Sequence, residues 1–534
     1  MKIVLAEKVS AATVNVFANA AGCTVVTHDQ IQNGLAAELA DADALIVRSA
    51  VQVDAALLEN APKLRVIGRA GVGVDNIDAE AATRRGIVVM NTPGANAVAV
   101  AELTLGLMVA LARMIPRANS GMHAGRWEKK TLQGTELRGK KFGIVGLGRI
   151  GLEVARRARG FGMELIGHDP FVSASIAREH GVRLASLDEV FREADYLTLH
   201  VGLTQQTEGM LNAKTLATMK KGVRIVNCAR GELVVEEALA EALRSGQVAG
   251  AALDVFRKEP LKDSPFFAME NVILTPHIAG STAEAQEAVG IQIAEQVRAY
   301  LTTGVAQNAV NFPSLSYEEY TALAPYIEMG ERLGKFVAAI SGNGVESVHF
   351  SYSGGLAEMR TELIRNAALC GILASSEHVN RINASAVAAE QGIRVHEQKN
   401  AAVSGGAGSV LKLTLHTAQH SRTVNGTVLH GSSPRLLACD GIDIEAPLDG
   451  TLLFIRNHDV PGVIGRIGTI LGEHSINIAN FALGRTEAKP GDQRHEALAV
   501  VHVDSHTARE QLHPALESLA AVEAITSVRL VKLT

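Results

Sequence analysis

Short apolar runs recur along the first three-fifths of the chain, separated by segments whose apolar positions repeat at helical spacing. The runs predict strands over 3–6, 44–47, 64–67 and 87–90. A second series follows over 141–145, 164–167, 196–199, 224–227, 250–253 and 272–274. Most are almost uninterrupted, as parallel strands covered on both faces require. Helical periodicity between them, as over 150–161 and 236–245, gives strand–crossover–strand repeats. Such repeats build an α/β fold with two doubly wound, Rossmann-like parallel sheets. A long apolar segment over 97–115 separates the two series; Glu102 and Arg113 inside it favour a buried or interface helix over a membrane span.

The pattern changes after Asn311, where Phe312-Pro313 marks a boundary. Helices are predicted over 319–340 and 356–373, then polar strands such as 410–415, which makes this an α+β unit. From Leu448 the order reads strand 451–456, helix 463–473, strands 476–485 and 496–503, helix 507–520, strand 524–533. That is βαββαβ, the ferredoxin-like arrangement.

Composition narrows the function. The 534 residues suffice for three or four domains, and 47 % hydrophobic against 20 % charged residues excludes an intrinsically disordered chain. A net charge of −5, with 4 % aromatic residues and one Trp, argues against nucleic acid and carbohydrate as partners. Cys23, Cys228, Cys370 and Cys439 lie far apart with no CxxC pair, so neither a metal site nor a disulfide framework is expected. The opening MKIVLAEKVS reads as a strand rather than a signal peptide, which makes the cytoplasm the expected location and excludes a membrane partner.

The chemistry sits in the second series. The strand Phe142-Gly143-Ile144-Val145 runs into Gly146-Leu147-Gly148-Arg149-Ile150-Gly151, a G-x-G-x-x-G that opens a helix. Gly146 allows the tight turn, Gly148 the approach of a pyrophosphate, and Gly151 close helix–strand packing. Asp169 ends the next strand, where its carboxylate would accept from ribose hydroxyls and repel a 2′-phosphate, favouring NAD over NADP. Three later strands end in Asn227-Cys228-Ala229-Arg230, in Asp254 leading to Glu259-Pro260, and in Pro276-His277-Ile278-Ala279-Gly280. Strand carboxyl ends line the crevice of such a sheet, so Arg230, Glu259 and His277 can converge there. His277 suits removal of a hydroxyl proton as hydride leaves carbon. Glu259 would stabilise the imidazolium, Arg230 would clamp a carboxylate or carbonyl oxygen, and Asp254 would orient the nicotinamide end or the loop.

These segments resemble the D-isomer-specific 2-hydroxyacid dehydrogenase family in its long form. So do the runs Arg69-Ala70-Gly71-Val72-Gly73-Val74-Asp75 and Asn91-Thr92-Pro93-Gly94-Ala95-Asn96, and the likeness covers essentially the whole chain. It implies the catalytic set Arg230, Glu259 and His277. It implies NAD contacts at Val72, Gly146, Gly148, Arg149, Ile150, Gly151, Asp169, Val201, Cys228, Ala229, Arg230, Asp254, His277 and Gly280. Val201-Gly202 stands where the family usually carries Thr-Pro. The substrate residues implied are Arg48, Arg69, Val72, Gly73, Asn96, Arg230 and His277, with Lys129 reaching across from another subunit. The implied reaction is oxidation of D-3-phosphoglycerate to 3-phosphohydroxypyruvate, the entry to L-serine synthesis. The alternatives are reduction of hydroxypyruvate, glyoxylate or 2-oxoglutarate, or an NAD-sensing corepressor. The implied domains are 1–96 plus 283–311 for substrate, 97–282 for NAD, 312–447 resembling an allosteric substrate-binding domain, and 448–534 resembling an ACT regulatory domain. The match to the intervening domain rests on Arg381-Ile382-Asn383-Ala384 and Glu390-Gln391-Gly392-Ile393. In the ACT unit Asn457, Asp459 and Asn477 match effector positions, with L-serine the expected effector. A homodimer or homotetramer is expected, with the 97–115 helix at an interface.

Overall fold

Twenty-two strands in four sheets organise the chain, seen in a computed structural model that describes residues 1–18, 22–376, 378–400, 408–486, 495–504 and 509–533. The first series of apolar runs forms β1 (Lys2–Leu5), β2 (Thr24–Val26), β3 (Ala44–Val47), β4 (Val66–Arg69) and β5 (Val88–Met90), a five-stranded sheet in the order β2-β1-β3-β4-β5. All its pairings are parallel. Its central strands are buried on both faces, which is why they read as continuous apolar runs. One face is covered from far along the chain. Val289, Ile293, Ala294 and Val297 of the helix Ala283–Thr303 pack into the same core as Ile3, Leu5, Ile46 and Val66.

The second series forms β6 (Lys141–Val145), β7 (Glu164–His168), β8 (Val182–Leu184), β9 (Tyr196–Leu199), β10 (Val223–Asn227), β11 (Val248–Leu253) and β12 (Val272–Leu274). The order is β12-β11-β10-β9-β6-β7-β8, all parallel. The chain reverses direction across the sheet between β6 and β9, which opens a crevice at their carboxyl ends.

The helix expected over 97–115 is two helices. Ala97–Arg113 ends at Met114, whose φ of 52° is left-handed, and Ile115–His123 leaves at a bend of 65°. Among the described residues no single helix is long and apolar enough to cross a membrane.

The third unit is a mixed sheet of β13 (Val345–Gly354), β14 (Arg394–Asn400), β15 (Ser409–Thr417), β16 (Ser421–Leu429), β17 (Ser433–Cys439) and β18 (Ile442–Pro447), in the order β14-β13-β15-β16-β17-β18. Only β13–β14 is parallel. The helices Tyr317–Ser341 and Glu362–Ile372 bury Leu333, Phe336, Ile364 and Leu369 against it. The helix expected over 356–373 is interrupted: a single 3-10 turn, Gly355–Glu358, is followed by extended backbone at Met359.

The last unit carries β19 (Thr451–His458), β20 (Ile478–Arg485), β21 (Glu496–Val503) and β22 (Ile525–Lys532) in the order β20-β21-β19-β22. With the helices Val463–Glu473 and Arg509–Ala520 this is the βαββαβ arrangement. The expected helix start at Thr507 lies outside the described residues.

Candidate active site

The glycine loop after β6 does what its spacing requires. Gly146 has φ +94°, and a side-chain carbon at Gly151 would stand 2.0 Å from the Gly146 carbonyl oxygen, so only glycine lets the helix Arg149–Ala158 press onto the loop. A carbon at Gly148 would meet nothing within 4 Å, leaving open space over the first helical turn, whose N–H groups have no intrahelical acceptor. Asp169 lies beside it. One carboxylate oxygen accepts from Leu147 N–H at 2.8 Å and the other from Phe171 and Val172 N–H at 2.8 and 3.2 Å. A carboxylate has about four acceptor sites, so room for a ribose hydroxyl remains. Ile150 opens the same helix, and Val201 stands next to Gly146 across the crevice. The Arg149 side chain instead bridges to the Pro93 carbonyl on the first unit. This cradle, a tight glycine turn with open space above a helix start and an acid at the next strand end, fits an NAD adenosine and pyrophosphate.

The adjacent strands place the chemistry. Asn227, Leu253 and Leu274 are register partners, so the turns after β10, β11 and β12 emerge level with one another. Asn227 is buried and ties its turn. Its amide donates to the Arg230 carbonyl at 2.8 Å and its oxygen accepts from Ala229 N–H at 3.1 Å. Asp254 is completely buried and accepts from the Thr275 hydroxyl at 2.6 Å and from Ile278 and Ala279 N–H at 2.9 Å each. The His277 N–H donates to the Asp254 carbonyl at 2.8 Å. Asp254 therefore holds the loop that carries His277. Of the two roles expected for it, loop support is visible in these bonds.

His277 has φ +52°, an unusual backbone for a non-glycine residue. Its Nδ1 lies 2.7 Å from Glu259 Oε2, and the other Glu259 oxygen accepts from Phe256 N–H at 3.0 Å. With Nδ1 facing a carboxylate, Nε2 is left for the cleft, and the ring is half exposed. Cys228, by contrast, is buried, and burial pushes its thiol up to about 12, so it is no nucleophile.

A second wall comes from the first unit. Val47 and Arg69 are register partners, so Arg48 and Arg69 both stand at the carboxyl edge of that sheet. Arg230 reaches across: its Nη2 is 3.2 Å from Asp75 Oδ2, and a side-chain carbon at Gly73 would lie 2.0 Å from Nη2. Gly73 is thus required for the approach of the guanidinium. Arg69 is half-buried, and its desolvation, then the Arg230 charge, pull its guanidinium below its ordinary range. Its Nη1 donates to the Ala70 carbonyl at 2.8 Å and its Nε has no partner. A half-buried, incompletely satisfied cation beside a second cation marks a place for an anion. Arg48 lines an adjoining cavity of roughly 260 Å³ with Lys8, Ser10, Ala70 and Gln286. Val72 sits in the same loop, its carbonyl accepting from the Asn91 amide at 2.6 Å. A carbon at Gly280 would lie 3.2 Å from the Asn96 amide nitrogen, so Asn96 and Gly280 face each other across the cleft. Asn96 Oδ1 is buried without a partner.

One expected grouping, the effector positions, is divided within the chain, and Lys129, expected to act on another subunit, stands apart from this chain's own cleft. Lys129 is exposed in the segment after the Ile115–His123 helix and forms no bond to the cleft. In the last unit Asn457 pairs in register with Ala497, whereas Asn477 donates to Asp504 at 2.9 Å, beyond Val503. Six residue steps along β21 separate these ends, about 20 Å. Asn457 and Asp459, the latter 3.3 Å from Arg485, therefore share one end of the sheet, and Asn477 stands at the other.

Sequence reasoning missed three contributors. Asn227 and Asp75 lay inside segments already singled out, but their roles depend on contacts across turns. Glu7 accepts from the N–H groups of Arg48, Ala50 and Val51 at 2.8–3.3 Å and so shapes the Arg48 loop, with no local signal for it.

His200, just after β9, is a half-buried group whose Nε2 lies 3.1 Å from the Thr198 hydroxyl. Burial pushes its imidazole down to about 3, and its Nδ1 has no partner. The unfolded chain takes up this proton near pH 6.5, before the folded chain does. The stability contribution is thus complete above that pH and drains as pH falls towards 3. Between pH 7.5 and 5 the denaturation midpoint is expected to fall further in the native protein than in His200→Asn, followed by circular dichroism.

Comparison with known proteins agrees with this architecture. Residues 105–279 match the profile of the D-isomer specific 2-hydroxyacid dehydrogenase NAD binding domain. Residues 322–440 match the D-3-phosphoglycerate dehydrogenase intervening domain, and 451–521 the ACT domain. The D-3-phosphoglycerate dehydrogenase of Methanocaldococcus jannaschii is 41 % identical over 92 % of this chain and 93 % of its own. That of Synechocystis is 44 % identical over 83 % and 80 %. Among solved structures, the Aquifex aeolicus D-lactate dehydrogenase complexed with NAD and lactic acid superposes with a TM-score of 0.51 at 27 % identity, covering 59 % of this chain and all of that one. By sequence, domain content and cofactor cradle alike, the chain belongs to the D-3-phosphoglycerate dehydrogenases, NAD-dependent enzymes of the D-isomer-specific 2-hydroxyacid dehydrogenase family.

Proposed function

We propose that this chain oxidises D-3-phosphoglycerate to 3-phosphohydroxypyruvate with His277 as the base, Glu259 as its positioning partner and Arg230 as the clamp on the reacting acid. The observation that carries this reading is the 2.7 Å His277–Glu259 pair on a loop held by Asp254, facing a cleft with three arginines. NAD, when bound, supplies the hydride acceptor. The chain's own residues do the rest. The Val72 and Gly73 loop and Arg230 hold the carboxylate and present the carbinol carbon. His277 Nε2 takes the hydroxyl proton, and Glu259 stabilises the imidazolium that results. Hydride and proton leave the same carbinol, one to the cofactor and one to His277, and a ketone remains. In the reverse direction His277 returns the proton.

Arg48 and Arg69 supply the charge a phosphate needs. Arg48→Ala and Arg69→Ala are each expected to lower kcat/KM for the phosphorylated substrate by about 100-fold, the loss of one charge-assisted contact. They should change turnover of 3-hydroxypyruvate or glyoxylate by no more than a few-fold. Equal loss on both substrate types in steady-state assays would contradict a phosphate role and favour a general 2-oxo acid reductase.

A further inference from the structure

A cavity of about 390 Å³ lies where the first sheet meets the intervening unit, well away from the catalytic edge. The sheet contributes Arg65, just before β4, and Gly86, just before β5, so the cavity is at the amino ends of strands whose carboxyl ends carry Arg69 and the cleft. Asn380, Arg381 and Ile382 form its far wall, and Asn380 and Asn383 fix the joint. The Asn380 amide donates to the Gly86 carbonyl at 3.0 Å, and the Asn383 amide to the Arg84 carbonyl at 3.0 Å. The cavity is thus already shaped by both units.

Its lining has an apolar body and a cationic mouth. Phe312, Leu315, Ile327 and Leu363 supply the apolar wall. Arg381 is committed: Nε and Nη2 donate to Glu331 at 3.0 and 2.6 Å, and Lys335 adds a contact to the same carboxylate at 3.4 Å. Glu331 is thereby neutralised. Arg65 is not committed. Its guanidinium has no hydrogen bond or ion pair among the described residues and lies 5.9 Å from the centre of the Tyr300 ring. The hydroxyls of Tyr300 and Tyr320 likewise have no hydrogen-bond partner among the described residues, and both line the cavity. An unspent guanidinium and two unspent phenol donors around an apolar space of this size match one ligand chemistry: a carboxylate head on a small apolar body.

We infer that this junction cavity is a second ligand site of the enzyme, taking a small organic monocarboxylate with an aromatic or branched apolar body, its carboxylate on Arg65 and the two tyrosine hydroxyls. Cys370 also lines the cavity and reports on it, while the half-buried Cys23 lies elsewhere and serves as an internal reference.

The test uses the full-length protein with NADH and 3-phosphoglycerate, a pair that occupies the cleft without a hydride acceptor and so does not turn over, and phenylacetate as the probe. Phenylacetate at about 10 mM, the range for a weak fragment, is expected to slow iodoacetamide alkylation of Cys370 at least threefold by peptide mass spectrometry, with Cys23 unchanged. Calorimetric titration should show binding to the native protein. Arg65→Gln, a change at an exposed side chain, should lose both the heat and the protection, and 2-phenylethylamine should give neither. The inference is overturned if no heat is seen, if Arg65→Gln binds as well as the native protein, or if the amine matches the acid. Protection of Cys23 to the same degree as Cys370 would equally overturn it.

Discussion

His277→Ala is expected to lower kcat/KM for D-3-phosphoglycerate by about three orders of magnitude, the range for loss of a positioned general base. NAD affinity, read by fluorescence titration, should stay within about twofold, since a lost base need not disturb the glycine cradle. The left-handed backbone at His277 makes the choice of variant matter. Asn tolerates that conformation better than most residues, and its amide can still donate to Glu259, so His277→Asn keeps the loop and removes the base. Both variants should fail equally in turnover. If His277→Asn retained activity near the native level, the imidazole would be structural. Glu259→Gln should cost less, about 10- to 100-fold, because the base remains while its orientation and charge partner weaken.

Asp254→Ala is expected to have the second largest effect, and on stability as well as turnover. It strips the acceptor from the Thr275 hydroxyl and from the Ile278 and Ala279 N–H groups, at a residue that itself has no solvent exposure. Each orphaned buried donor costs about 1–3 kcal/mol, so the three together cost roughly 3–9 kcal/mol in the unit built on β6–β12. The same change frees the loop that carries His277. Misplacement of a catalytic group by about 1 Å is worth about 100-fold in rate, so kcat should fall at least that far even at temperatures where the protein stays folded. Asp254→Asn keeps two acceptor positions on one oxygen and should recover part of both losses. Thermal denaturation and kcat measured on the two variants separate loop support from direct chemistry.

The parts of this enzyme that were legible in its sequence share a physical cause. The central strands of the two parallel sheets are covered on both faces, so β6 and β9 announce themselves as apolar runs with the right ends. The glycine loop was legible because its backbone geometry admits almost no other residue at Gly151. The short strands β2 and β8 were not, because three residues at a half-covered edge carry polar positions and no run. In the intervening unit β13 alternates between the core and solvent, and β14 is almost wholly exposed, so neither presents an apolar run. The break at Met114 is marked in the sequence only by Pro116 two residues on, which sits in the first turn of the next helix, and Met114 and Ile115 extend the apolar character up to it. In the site, residue types whose chemistry is intrinsic, His277, Glu259 and Arg230, were readable from spacing. Residues whose role is to hold others, Asn227, Asp75 and Glu7, emerge only when the turns are folded against one another. The split of Asn457 and Asn477 between opposite ends of one sheet has the same origin: strand register, not sequence proximity, decides which side chains meet.

The junction cavity touches the first sheet directly through Arg65 and Gly86, and the helix Ala283–Thr303 supplies Tyr300 to it from the core of that same sheet. A ligand there contacts both units at once, so it can favour one arrangement of the joint over another only by its differential affinity for the two.

The account stands most directly on one steady-state measurement: NADH formation by the purified full-length protein with D-3-phosphoglycerate, D-glycerate and D-lactate in parallel. The account predicts that D-3-phosphoglycerate is oxidised with the highest kcat/KM, by at least about 100-fold, because only it engages Arg48 and Arg69 together with Arg230. Oxidation of D-lactate or D-glycerate at an equal or higher kcat/KM would contradict it.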